Sequence, residues 1–114
     1  MITPLQIEKR LTDLSREIEA AHDELTEAEL GYHTAKALLE IAMARSRMAV
    51  AHPDHKLTSV QREDMALIEN SDAHYQLAIA EAKVKAARAN ANRIRTQVDI
   101  ARSVSVSVRS SLEL

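Results

Sequence analysis

The sequence predicts an all-α protein: a long antiparallel helical hairpin of coiled-coil type that oligomerises into a bundle or ring. Three observations predict it. The 114 residues contain one glycine, two prolines and two aromatic residues, too few turn formers and large side chains for a sheet protein or a compact α/β enzyme. Apolar residues recur at alternating spacings of four and three, the heptad pattern of a coiled coil. The one strong helix-breaking passage, "AVAHPDHKLTS", lies near the middle of the chain, and a short connection between two long helices sets them antiparallel.

The first helix opens at "ITPLQI". Thr3 is placed to cap, Pro4 to occupy the first helical position and Gln6 to complete a capping box. Ile2 and Ile7 are spaced to staple across that cap. Its seam then reads Ile7, Leu11, Leu14, Ile18, Ala21, Leu25, Ala28, Tyr32, Ala35, Leu39 and Ala42. One line of the seam is large; the other turns to alanine after Leu14, which lets a partner helix approach closely. Pro53 disfavours helical backbone at His52, so the helix is expected over about residues 4–50 and the turn over about 51–58.

Helix 2 is expected over about residues 59–103, starting at Thr58 or Ser59 with Gln61 three residues beyond Thr58. Its seam is Ala66, Ala73, Leu77, Ala80, Val84, Ala87, Ala91, Ile94, Val98 and Ala101. Asn70 stands where an apolar residue is due. Each helix spans about 65–70 Å at 1.5 Å per residue.

The tail "RSVSVSVRSS", residues 102–111, alternates valine and serine, the period of a strand. As a strand, Val104, Val106 and Val108 share a face and need another chain to pair with. As a helix, Ala101, Val104 and Val108 share a face and continue the seam through Ser105. Serine and β-branched residues are mediocre helix formers, but an already nucleated helix propagates at little cost. Helix is the preferred reading of 104–114, with a kink near Ser103 as a variant of it.

Charge is unevenly spread. Residues 1–50 hold 6 basic and 9 acidic side chains, residues 51–75 hold 2 and 5, and residues 76–114 hold 7 and 3, for net charges of −3, −3 and +4. Folding about residue 55 sets position i near 110 − i. Glu17, Glu19, Asp23, Glu24, Glu27 and Glu29 are then expected alongside Lys83, Lys85, Arg88, Arg93 and Arg95, which favours the antiparallel arrangement and neutralises part of the basic face.

One hairpin shelters one stripe per helix, and this chain has more to hide. Met43, Met48, Met65 and Ile68 cluster around the turn, and a second stripe on helix 2 runs through Met65, Ile68, Tyr75, Ile79, Ala82, Ala86 and Ala89. Exposed apolar surface of that extent marks an interaction site. Met43, Met48, Met65, Ile68, Ile79, Val104, Val106 and Val108 are therefore the expected oligomer or partner interface.

Catalytic and metal chemistry find no frame. "HPDH" offers His52, Asp54 and His55, but a zinc site wants four well-placed ligands and the chain has no cysteine. Glu19 and His22 have the spacing used in di-iron bundles, without the second such motif those sites require. There is no glycine-rich phosphate loop and no nucleophile beside a base. We expect no enzyme activity, no cofactor, no metal and no small-molecule substrate. Without a signal sequence or an apolar run of about 18 residues, the expected location is the cytoplasm, away from membranes. Lys83, Lys85, Arg88, Arg93, Arg95, Arg102 and Arg109 make the C-terminal third basic, with Asn90 and Asn92 as added donors, a composition suited to salt-sensitive phosphate contact.

The passages "ITPLQIEKRLTDLSREIEAAHDELTEAEL", "AKALLEIAMARSRM" and "RTQVDIARSVSVSVRSS" together resemble a class of small helical proteins encoded by tailed phages, often of actinobacterial hosts. The plan is similar to the UvsY-type recombination mediators of T-even phages, oligomeric helical proteins that bind single-stranded DNA and help load a recombinase. The resemblance implies a DNA-binding role for the seven basic residues just named, a recombinase as further partner, and the host cytoplasm as location. The expected function is that of a non-enzymatic, oligomeric, single-stranded-DNA-binding mediator of recombination or replication. The alternative is a protein-binding module (an inhibitor, adaptor or assembly chaperone) acting through its apolar tip.

Overall fold

The computed structural model describes residues 2–50 and 57–113, and all of its regular structure is helical: α1 (Pro4–Val50), α2 (Ser59–Glu69) and α3 (Ser71–Glu113). The all-α hairpin is the fold observed. Both predicted caps form. At the start of α1 the Thr3 amide donates to Gln6 Oε1 at 2.9 Å while the Gln6 amide donates to Thr3 Oγ1 at 3.2 Å. At α2 the Thr58 amide donates to Gln61 Oε1 at 3.0 Å and the Gln61 amide to Thr58 Oγ1 at 3.1 Å. Each reciprocal pair satisfies two amides that have no partner inside the helix. The "HPDH" passage lies outside the described residues.

The chain divides into two compact units, one of residues 1–27 with 85–114, the other of residues 28–84. In the first unit, Leu14, Ala21, Ala91 and Ile94 form the core, with Ile18, Val98 and Ala101 packed against it. Leu14 is 1% exposed. The helices of this unit run antiparallel, since Arg10 Nη2 donates to Gln97 Oε1 at 3.3 Å and Leu14 packs with Ile94. Every seam residue expected here is buried or half-buried, from Ile7 to Leu25 on α1 and from Ala87 to Ala101 on α3.

The tail of α3 belongs to the same unit and is helical through Glu113, the preferred of the two readings of 104–114; the strand alternative is not what forms. The burial pattern gives the physical reason. Val104 and Val108 are half-buried and Ser105 is 8% exposed, while Val106 is 62% exposed. That is a helical distribution, with Ser105 and Val108 carrying the 4-3 seam onward.

In the second unit the core is Leu39, Met43 and Ala66, joined by Ala73 and Leu77. The antiparallel register is set by Arg47 and Glu63, bonded Nε to Oε1 at 2.6 Å and Nη2 to Oε2 at 3.0 Å. Helix 2 is not continuous here. It divides at Asn70, whose backbone sits at φ −107°, ψ 23°. Asn70 Nδ2 donates to the Ala66 carbonyl at 2.7 Å, the carbonyl that also accepts the Asn70 backbone amide at 3.1 Å. A short polar side chain competing for the helical carbonyl is a known cause of local distortion. The same side chain reaches Ser46 Oγ at 2.8 Å. The expected single helix over 59–103 is thus two helices, the second running on through the tail to Glu113.

Candidate nucleic-acid interface

A heptad lettering with seam positions a and d places every α3 side chain. Ala91, Val98 and Ser105 are a positions; Ala87, Ile94, Ala101 and Val108 are d positions. Arg88, Arg95, Arg102 and Arg109 then recur every seven residues at e, on the row beside the seam. All four are exposed and lie in the first unit on one uninterrupted helix. At 1.5 Å per residue the row is about 32 Å long, with about 10.5 Å between neighbours.

The rest of the basic set is distributed otherwise. Arg93 lies on the outer side of α3 and donates from Nη2 to Asn90 Oδ1 at 2.8 Å. Lys85 sits one turn before Arg88, and both already hold polar or electrostatic partners. Lys83 is exposed and belongs to the second unit.

The expected neutralisation by helix 1 takes a different form. The Arg10–Gln97 bond aligns the g rows of the two helices, which brings the e row of α1 toward the arginines: Glu8, Ser15 and His22 in this unit, one acid among three. Glu17 instead bridges to Arg10 on its own helix at 3.8 Å. Glu19, Asp23 and Glu27 fall on the sides of α1 away from α3, and all three are exposed. Residue counts along the chain placed the acids beside the basic helix; helical phase turns most of them elsewhere. Arg95, Arg102 and Arg109 form no hydrogen bond or ion pair with the described residues. Asp99 is the single acid of α3 between Lys85 and Arg109.

The expected interface residues divide as well. Met48, Met65, Ile68, Ile79 and Val106 are exposed. Met43 is corrected: it is 8% exposed in the core of the second unit, with Asn70 Nδ2 at 3.7 Å from its sulfur. Val104 and Val108 are half-buried along the seam, against the N-terminal segment of α1, where a shallow groove is lined by Ile2, Pro4, Val104, Val108 and Leu112.

Glu19 and His22 are both exposed. Among the described residues no three histidine, aspartate or glutamate side chains come together as a metal site, and no helix is long and apolar enough to cross a membrane. Two buried side-chain nitrogens, Arg62 Nε and His74 Nε2, have no hydrogen-bond partner among the described residues. No family model, curated protein or solved structure matches the chain.

Proposed function

We propose that this protein is a non-enzymatic binder of single-stranded DNA that serves recombination or replication, with the heptad row of arginines on α3 as its phosphate-contacting surface. The observation that supports this reading is the row itself: four exposed guanidinium groups at one phase of a 43-residue helix, with three of them unpaired among the described residues. Arginine presents a planar fork of donors that matches phosphate oxygens. A flexible single strand can lay successive phosphates along a straight row, whereas a duplex carries its phosphates away from a straight helix within part of a turn. With two tyrosines and no tryptophan or phenylalanine in the chain, base stacking adds little. Binding of this kind is electrostatic, indifferent to sequence and steeply dependent on salt.

Anisotropy of a labelled single-stranded oligonucleotide, titrated at several salt concentrations, tests the proposal. Affinity that falls steeply with salt and is lost in the Arg95→Glu, Arg102→Glu double variant supports it. No binding at low salt rejects it. The reading then left is a protein-binding module, favoured by the exposure of Met48 and Ile68 at the tip of the second unit.

A further inference from the structure

The second unit exposes more large apolar side chains than it buries. Leu39, Met43 and Val84 are buried there, against ten exposed ones from Leu30 to Ile79. Seven of the ten, all but Leu38, Val60 and Leu67, lie on the outer faces of the helices. On α1 the positions opposite the seam carry Leu30, Ala37 and Ala44; on α2 and α3 the equivalent positions carry Ile68, Tyr75 and Ala82. All six are exposed; with Ile41 and Met48 on α1 and Met65 and Ile79 on α2 and α3, also exposed, they recur at spacings of three, four and seven, so each face is a second coiled-coil seam without a partner in its own hairpin.

We propose that these two outer faces are the halves of one contact, and that the occupant of each is a second copy of this chain. When two hairpins lie side by side with their turns at the same end, α1 of one copy runs antiparallel to α2 and α3 of the next. One register, between those of the Arg47–Glu63 and Ser46–Asn70 pairs inside the hairpin, sets Leu30 against Ala82, Ala37 against Tyr75 and Ala44 against Ile68. Each large side chain meets an alanine, the alternation that lets two helices interdigitate. In this register Arg45 and Glu69, opposite charges that are both exposed, are offset by two residues, about 3 Å along the axis, within the reach of two long side chains. Asp72 interrupts the α3 face at one level. Because the halves lie on opposite sides of the hairpin, the contact is heterologous: each copy offers one half to each neighbour, and the assembly closes into a ring or extends as a filament. This inference does not depend on whether the arginine row binds DNA.

Sedimentation velocity of the full chain without nucleic acid tests it. The wild type should sediment as a species larger than a dimer. Ala37→Glu, on the α1 face, and Tyr75→Glu, on the α3 face, should each be monomeric alone with helical circular dichroism unchanged. An equimolar mixture of the two should form a dimer that grows no further, since one variant keeps its α3 face and the other its α1 face. Ala44→Glu and Ile68→Glu are the second pair, for use if either of the first loses helicity. A monomeric wild type, variants that leave its size unchanged, or single variants that still dimerise alone (a two-fold contact between identical faces) would each overturn the proposal.

Discussion

Asn70 donates its side-chain amide to Ser46 Oγ at 2.8 Å across the second unit, joining two a positions of facing helices with a polar bond. Ser46 is buried and Asn70 half-buried. A polar residue at an a position fixes register at a cost in stability, because any shift leaves a buried group unsatisfied. A double-mutant cycle with Ser46→Ala and Asn70→Ala should give a coupling of about 1 kcal/mol, the net worth of one such bond. Zero coupling in urea unfolding would show that the two groups act independently.

Leu38 and Leu39 are neighbours with opposite surroundings, 62% and 7% exposed. Leu39→Ala should cost about 2–4 kcal/mol through the cavity it leaves. Leu38→Ala, measured in dilute solution, should stay within about 0.5 kcal/mol of wild type. Equal effects would place the seam at a different helical phase.

The α2 cap is open to a direct test. Thr58→Ala removes the acceptor for the Gln61 amide and should cost about 1 kcal/mol. Thr58→Ser keeps the acceptor and should retain most of that stability. Thermal unfolding followed at 222 nm distinguishes the two.

In the tail, aspartate substitution separates helix from strand. Val104→Asp and Val108→Asp place a charge on the half-buried side and should lower the melting temperature. Val106→Asp should not, because its side chain is already in water. A strand would make all three alike, since alternate residues share one face of it.

For nucleic acid, the predicted signature is a slope. Three to four phosphate contacts to a single strand give a plot of log K against log salt with slope about −2 to −3, and each arginine removed should reduce it by about 0.7. Arg109→Gln and Arg95→Gln should act similarly, as members of one row. Arg93→Gln, which lies off the row and bonds Asn90, should change the slope least.

The sequence by itself determined the two arms, both caps and the seam as far as Ala42 on α1, but not Met43 and Ser46, which are also buried. These follow from local rules: reciprocal side-chain-to-amide bonds at a helix start, and a 4-3 repeat that leaves one phase of each helix free of charge. Three matters were settled only by the tertiary structure. The valine-serine tail pairs well with either backbone, and burial of Ser105 and Val108 along the hairpin's seam made it helix. Met43 reads as surface next to its apolar neighbours, yet it packs with Leu39 and Ala66 inside the second unit. The acids of α1 count as neighbours of the basic helix by residue number, yet rotation about the helix axis directs most of them away and leaves Arg95, Arg102 and Arg109 in the open. In each case the deciding quantity is which way a side chain faces once two helices share a register, a relation between distant residues that no local pattern contains.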